Sequence, residues 1–189
     1  EENPYEFTPT NLKDLDNVIR GLVKGGLTFI KAPPGSGKTE IGKTLARQTG
    51  YNYISSGDIA REMAKIDKST DIALANGALA PEEMMRHHLS TTIVQAVCHG
   101  GMVLDGCPRN IDQYNWLKSI IPNDLTAYVH IDVDLSICTN RLISRMRNDD
   151  SRDIINTRLA YYTGNIIPMV HTISQEANFI RASNNLDFS

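Results

Sequence analysis

Residues 32–39 read A-P-P-G-S-G-K-T and could hold the phosphates of a nucleotide. They match the pattern G-x-x-x-x-G-K-[ST] at every fixed position but the first, where Ala32 stands for glycine. Gly35 and Gly37, set among Pro34 and Ser36, let the backbone curl so that successive N–H groups point inward. The positive end of a helix starting near Lys38 adds to the attraction for an anion. Lys38 can reach the outer phosphates, and Thr39 a magnesium ion or a phosphate oxygen. Glu40 falls in the first helical turn, favourable for the helix and awkward beside an α-phosphate. Arginines are numerous for an acidic chain: Arg61, Arg109, Arg141, Arg145, Arg147, Arg152 and Arg158. A guanidinium binds phosphate bidentately and keeps its charge. In-line phosphoryl transfer between two charged substrates needs positioning and neutralised charge, with little covalent help. Arg141 and Arg145 are four apart in a helical stretch and share a face.

Strands and helices in a suitable order flank these residues. Residues 27–30, 51–54, 101–105, 127–131 and 178–181 read as short apolar strands, the third ending on Asp105. Residues 39–48, 58–65, 81–98, 112–119, 135–145 and 151–162 read as helices, with Pro81 in a first turn. The alternation implies an α/β fold with a parallel central sheet and helices on both faces. Residues 1–9 read as a loose arm and 11–23 as an amphipathic helix ended by Gly25-Gly26. Residues 1–26 are therefore an N-terminal appendage to a domain spanning 27–189, and the apolar stripe of that helix needs a surface to pack on.

A chain of 189 residues fits one domain. Its net charge of -3 argues against a non-specific nucleic-acid surface. Cys98, Cys107 and Cys138 fit neither a disulfide framework nor a zinc pattern, which points to a reducing compartment such as the cytoplasm. No apolar run reaches 18 residues, so no membrane span is expected. The opening EENPYEF lacks the parts of a signal peptide, although the missing initial Met leaves an earlier leader open.

Three further stretches narrow the class: SSGDIAR at 55–61, DGCPRNIDQ at 105–113 and NRLISRMRNDDSRDIINTRL at 140–159. In this order, after P-P-G-S-G-K, they resemble the adenylate kinase family of nucleoside monophosphate kinases, over about residues 27–162. The resemblance implies the P-loop NTPase fold with a small helical insertion for the monophosphate, about 55–98, and a lid near 145–150. It implies transfer of a phosphoryl group from ATP, carried with Mg2+, to a nucleoside monophosphate, most readily AMP. On the matching positions, Pro34 to Glu40 and Arg141 belong to the ATP side. Lys38 and the loop amides hold the β- and γ-phosphates, and Arg141 lies over the donor base. Ser56, Arg61, Gly106, Arg109 and Gln113 belong to the monophosphate side, with Gln113 reading the base. Arg145, Arg147 and Arg158 surround the phosphoryl group in flight. Thr39, Asp105 and Asp58 attend the metal, the carboxylates through water.

The chain also departs from the family. Ala32 replaces the first loop glycine, Glu40 a threonine, and Cys107 an aromatic residue. Only Met146 separates Arg145 from Arg147, so the lid is minimal, shorter than in short-lid members, and no zinc knuckle can exist there. The ending SNNLDFS is too short for the helix with which the family closes. UMP, CMP or a deoxynucleotide is the second choice of acceptor. A nucleotide-binding regulatory module with slow ATPase turnover is a reading of another class, favoured by the minimal lid and opposed by the intact Lys38 and arginine set.

Overall fold

The computed structural model describes residues 26–98, 100–121, 126–144, 151–175 and 178–183. The N-terminal helix expected at 11–23, the lid at 145–150 with Arg145 and Arg147, and the chain end after Ser183 lie outside them.

Five strands, β1 (Leu27–Lys31), β2 (Asn52–Ser55), β3 (Met102–Asp105), β4 (Thr126–Asp132) and β5 (Phe179–Ser183), form one sheet in the order β2-β3-β1-β4-β5. Every pairing is parallel, with Ile30 opposite Asp105 and Lys31 opposite His130. β1, β3 and nearly all of β4 are buried, as continuous apolar runs in a doubly covered sheet must be. On one face Leu27, Phe29, Met102, Leu104 and Tyr128 share a cluster with Leu89, Ile93, Leu117 and Ile173 from the helices. Phe29 stacks on Tyr128 at 5.0 Å, and Tyr114 meets Tyr128 edge-on at 5.6 Å. On the other face Ile30, Val103, Val129 and Ile131 meet Leu45, Ala46 and Cys138. Each fully buried side chain of this size contributes about 1.5–3 kcal/mol.

The helices are α1 (Lys38–Thr49), α2 (Ser56–Ala64), α3 (Lys68–Ala75), α4 (Glu82–Cys98), α5 (Ile111–Ile120), α6 (Leu135–Ser144), α7 (Arg152–Tyr161) and α8 (Ile167–Ser174). α2 begins two residues earlier than its apolar spacing suggests, because the Ser55 hydroxyl accepts from the Asp58 N–H and caps it. α3 has no counterpart in the sequence reading. Asp67 nucleates it, accepting from the Thr70 N–H at 2.7 Å and from the hydroxyls of Ser69 and Thr70. α7 does not stop near residue 162 either. A wide π-helical turn, Tyr162–Ile166, carries it into α8, whose first turn holds Pro168. Proline lacks the N–H that an uninterrupted helix requires, and the wide turn precedes that gap.

Candidate active site

The C-terminal ends of β1, β2 and β3 lie side by side, and the loops leaving them build one site. The loop after β1 turns through Gly35 and Gly37, both left-handed with φ near 80°. A Cβ on Gly35 would stand 2.5 Å from the Cys138 carbonyl oxygen, so only glycine lets the loop lie against α6. α1 opens at Lys38 directly behind the curl. The loop and the first turn of α1 border a cleft of about 410 Å³. Pro34, Ser36, Lys38, Thr39, Glu40 and Arg141 all border that cleft.

Asp105 ends β3 at the floor of this cleft and is 2% exposed. Lys38 forms an ion pair with its Oδ1, Thr39 donates to Oδ2 at 3.2 Å, and the Tyr53 hydroxyl donates to Oδ2 at 2.7 Å. Burial alone would raise the carboxyl pKa. The Lys38 charge and the three donors outweigh that and hold it below the usual carboxylate value. Burial beside Asp105 pushes the Tyr53 phenol up, which keeps it a donor. Tyr53 carries no sequence signal of its own, since only the pairing of β2 with β3 brings it to Asp105. Asp58 turns to Arg61 and pairs with it on the exposed face of α2.

A larger cleft of about 720 Å³ adjoins the first, bounded by α2, α3, the loop after β3 and α7. Arg61, Arg109, Arg158 and Tyr161 face it, and Lys38, Arg61, Gly106 and Arg109 border both clefts. Arg109 is aimed by Nε donating to the Gly106 carbonyl at 2.9 Å and by a terminal nitrogen donating to Ser56 Oγ at 3.2 Å. Gly106 has φ 86°, and a Cβ there would meet Ser56 Oγ at 2.6 Å. Burial lowers the pKa of the Arg109 guanidinium, and among the described residues no carboxylate pairs with it. The Tyr161 hydroxyl donates to the Arg109 carbonyl at 3.1 Å.

Gln113 is buried in α5 and its amide is oriented. Its Oε1 accepts from the Arg109 backbone N–H at 2.7 Å, and its Nε2 donates to Glu82 Oε2 at 2.8 Å. The Cys107 thiol adds a weak contact to Oε1 at 3.7 Å. Ser56, Met85 and Leu79 complete a narrow recess against Gln113. Burial pushes the Cys107 thiol up to about 11, so it is no nucleophile. Glu82 and Tyr161, like Tyr53, escape sequence reasoning because their partners are distant in the chain.

One buried carboxylate beside the hydroxyl at the start of α1 suits a small, well-hydrated ion carried by phosphates, which takes few protein ligands. Among the described residues no group of three or more His, Cys, Asp or Glu could hold a metal alone, and none forms a helix long and apolar enough to cross a membrane.

Two facing clefts joined by a lysine and two arginines are what two phosphorylated substrates would occupy, and relatedness agrees. The chain is 30% identical to an adenylate kinase of Corynebacterium urealyticum over 147 residues, 73% of this chain and 80% of the relative. It is 28% identical to an adenylate kinase of Prochlorococcus marinus over 155 residues, 78% and 84% respectively. With one from Thermotoga neapolitana, identity is 33% over 127 residues, 63% of this chain and 57% of that protein. Residues 30–178, from the last buried turn of β1 to the threshold of β5, match the adenylate kinase family model, and with the sheet order and phosphate loop described above they establish that the chain belongs to the adenylate kinase family.

Proposed function

We propose that the chain transfers the γ-phosphoryl group of ATP, presented with Mg2+, to AMP. The observation that supports this best is the junction of the two clefts at Lys38, Arg61 and Arg109. A phosphoryl group passing from one cleft to the other crosses that junction, and the cations are already placed there.

The loop amides, with Ser36 and Thr39, hold the donor phosphates, and Arg141 lies over the donor base. Lys38 leaves Asp105 to follow the β- and γ-phosphates. Thr39 and Asp105 would hold the hydrated cation, which would supply charge neutralisation to the phosphates. Asp58, released from Arg61 when that arginine turns to its phosphate, would assist through water. Arg61 and Arg109 grip the acceptor's monophosphate, and Arg158, with Arg145 and Arg147 from the lid at 145–150, neutralises the group in flight. No covalent intermediate is required, because positioning and charge supply the rate.

Gln113 supports adenine as the acceptor base. One lone pair of Oε1 and one N–H are committed to Arg109 and Glu82. The remaining N–H, and the lone pair met only by a thiol, offer a donor and an acceptor side by side, as adenine's edge requires. The insertion of about 55–98 is the monophosphate-binding part, and the buried free thiols of Cys107 and Cys138 suit a reducing compartment such as the cytoplasm.

A coupled assay with ATP and a panel of monophosphates tests the proposal. AMP should give the highest kcat/KM. Preference for UMP or CMP would overturn the base assignment, and turnover with no monophosphate would overturn the activity.

A further inference from the structure

Lys31 closes β1 one residue before the phosphate loop, and nothing in the proposed transfer uses it. Its side chain is 4% exposed, and its Nζ has no hydrogen-bond partner among the described residues. A buried amine without a partner is costly, and Leu27, Phe29 and Ile30 show that the same strand is otherwise built for apolar packing. The side chain borders the larger cleft together with Arg109, Arg158 and Tyr161. It alternates with Ile30, so it lies on the opposite face of the sheet from Asp105, on the side where Cys107 and the acceptor cleft are.

We infer that Lys31 is a phosphate ligand of the acceptor cleft, meeting the acceptor's monophosphate from the sheet side while Arg109 meets it from the loop. The inference rests on the acceptor assignment above and deepens it. The groups around the amine fit the role. Arg109 and Lys38 are cations, and Arg158 lines the same cleft. Asp105 opposes them, while Cys107 is a protonated thiol and Tyr161 a neutral phenol. His130, its register partner on β4, is kept neutral by burial, which lowers its pKa. With no dianion bound, burial drives the Lys31 amine well below its ordinary pKa, and Arg109 and Lys38 push the same way. A phosphate dianion placed among these cations reverses the balance, so the amine gains its proton as the monophosphate arrives.

Lys31→Met removes the amine and keeps the length of the side chain. With ATP and AMP as substrates, the KM for AMP should rise about 10- to 100-fold, the loss of one charge-assisted phosphate contact, with the KM for ATP unchanged and the melting temperature no lower. In the wild-type protein at about pH 9, where the phosphate of AMP is already a dianion, calorimetry in buffers of different ionisation enthalpy should detect proton uptake with AMP and none with adenosine. An unchanged AMP KM in folded Lys31→Met overturns the inference. So does equal proton uptake with AMP and adenosine, a measurement that needs no variant. Either result, beside normal wild-type turnover of AMP, leaves the proposed activity standing. A wild-type protein that phosphorylates no monophosphate removes both.

Discussion

Replacing Arg109 by Met separates function from stability more sharply than any other change in the site. Two hydrogen bonds disappear, from Nε to the Gly106 carbonyl at 2.9 Å and from the terminal nitrogen to Ser56 Oγ at 3.2 Å. Each is worth about 0.5–1.5 kcal/mol, so about 2 kcal/mol is at risk. Against this, the variant no longer buries a cation close to Lys31 and Arg158 that forms no ion pair among the described residues, and the aliphatic stem of Met keeps the packing. Net stability should therefore change by less than about 1 kcal/mol, read as the urea midpoint. The KM for AMP should rise roughly 30- to 1,000-fold, because a charge-assisted phosphate contact is worth about 2–4 kcal/mol. The KM for ATP should move little. A variant destabilised by more than about 3 kcal/mol with an unaltered AMP KM would show that Arg109 braces the loop after β3 and grips no substrate.

Lys38→Met should abolish measurable transfer while the chain still folds, and near-normal turnover would reject the loop as the catalytic centre. The same variant has a pH signature. Asp105 has a lowered native pKa, so its contribution to stability is present above the unfolded value and is lost as pH falls through the native one; without Lys38 that native pKa rises and acid unfolding should begin at higher pH. Tyr53→Phe removes a 2.7 Å donor from a buried carboxylate that keeps its other two partners, and should cost about 1–2 kcal/mol by chemical denaturation, with no measurable change sinking the assignment. Gln113→Leu should lower kcat/KM for AMP about tenfold or more with ATP kinetics preserved, and unaffected AMP use would remove Gln113 as the base reader.

The strand, loop and helix around Lys38 are legible in the sequence because each is fixed locally. The strand is a pure apolar run, the loop needs glycine at two positions, and the helix has a clean stripe. The apolar run ends at Ile30, whereas the strand itself extends to Lys31. A lysine between an apolar run and two prolines was the available signal, but its burial follows only from sheet and cleft. α3 is polar in its first turn and apolar in its second, with no stripe along one face for periodicity to find, although the D-x-S-T start at Asp67 announces a cap. Gly164 and Pro168 masked the continuation of α7 into α8, because both residues read as helix ends when neighbours in space are unknown. Arg109 and Gln113 stand out in the sequence by motif alone. The contacts that orient them, from Ser56, Glu82 and Tyr161, bridge 53, 31 and 52 positions of chain and have no local pattern.

The ion pair between Lys38 and Asp105 sets a carboxylate of the chain in competition with any anion that binds the loop. A carboxylate fixed beside the ammonium by the fold acts at an effective concentration far above that of any dissolved anion. A lone inorganic phosphate or sulfate, offering one set of contacts at millimolar strength, has little chance of displacing it. A triphosphate can, since it engages the loop amides, the helix terminus and the lysine together and brings a cation to satisfy the carboxylate it evicts. The ion pair thereby favours a ligand that offers several contacts at once over one that offers a single set.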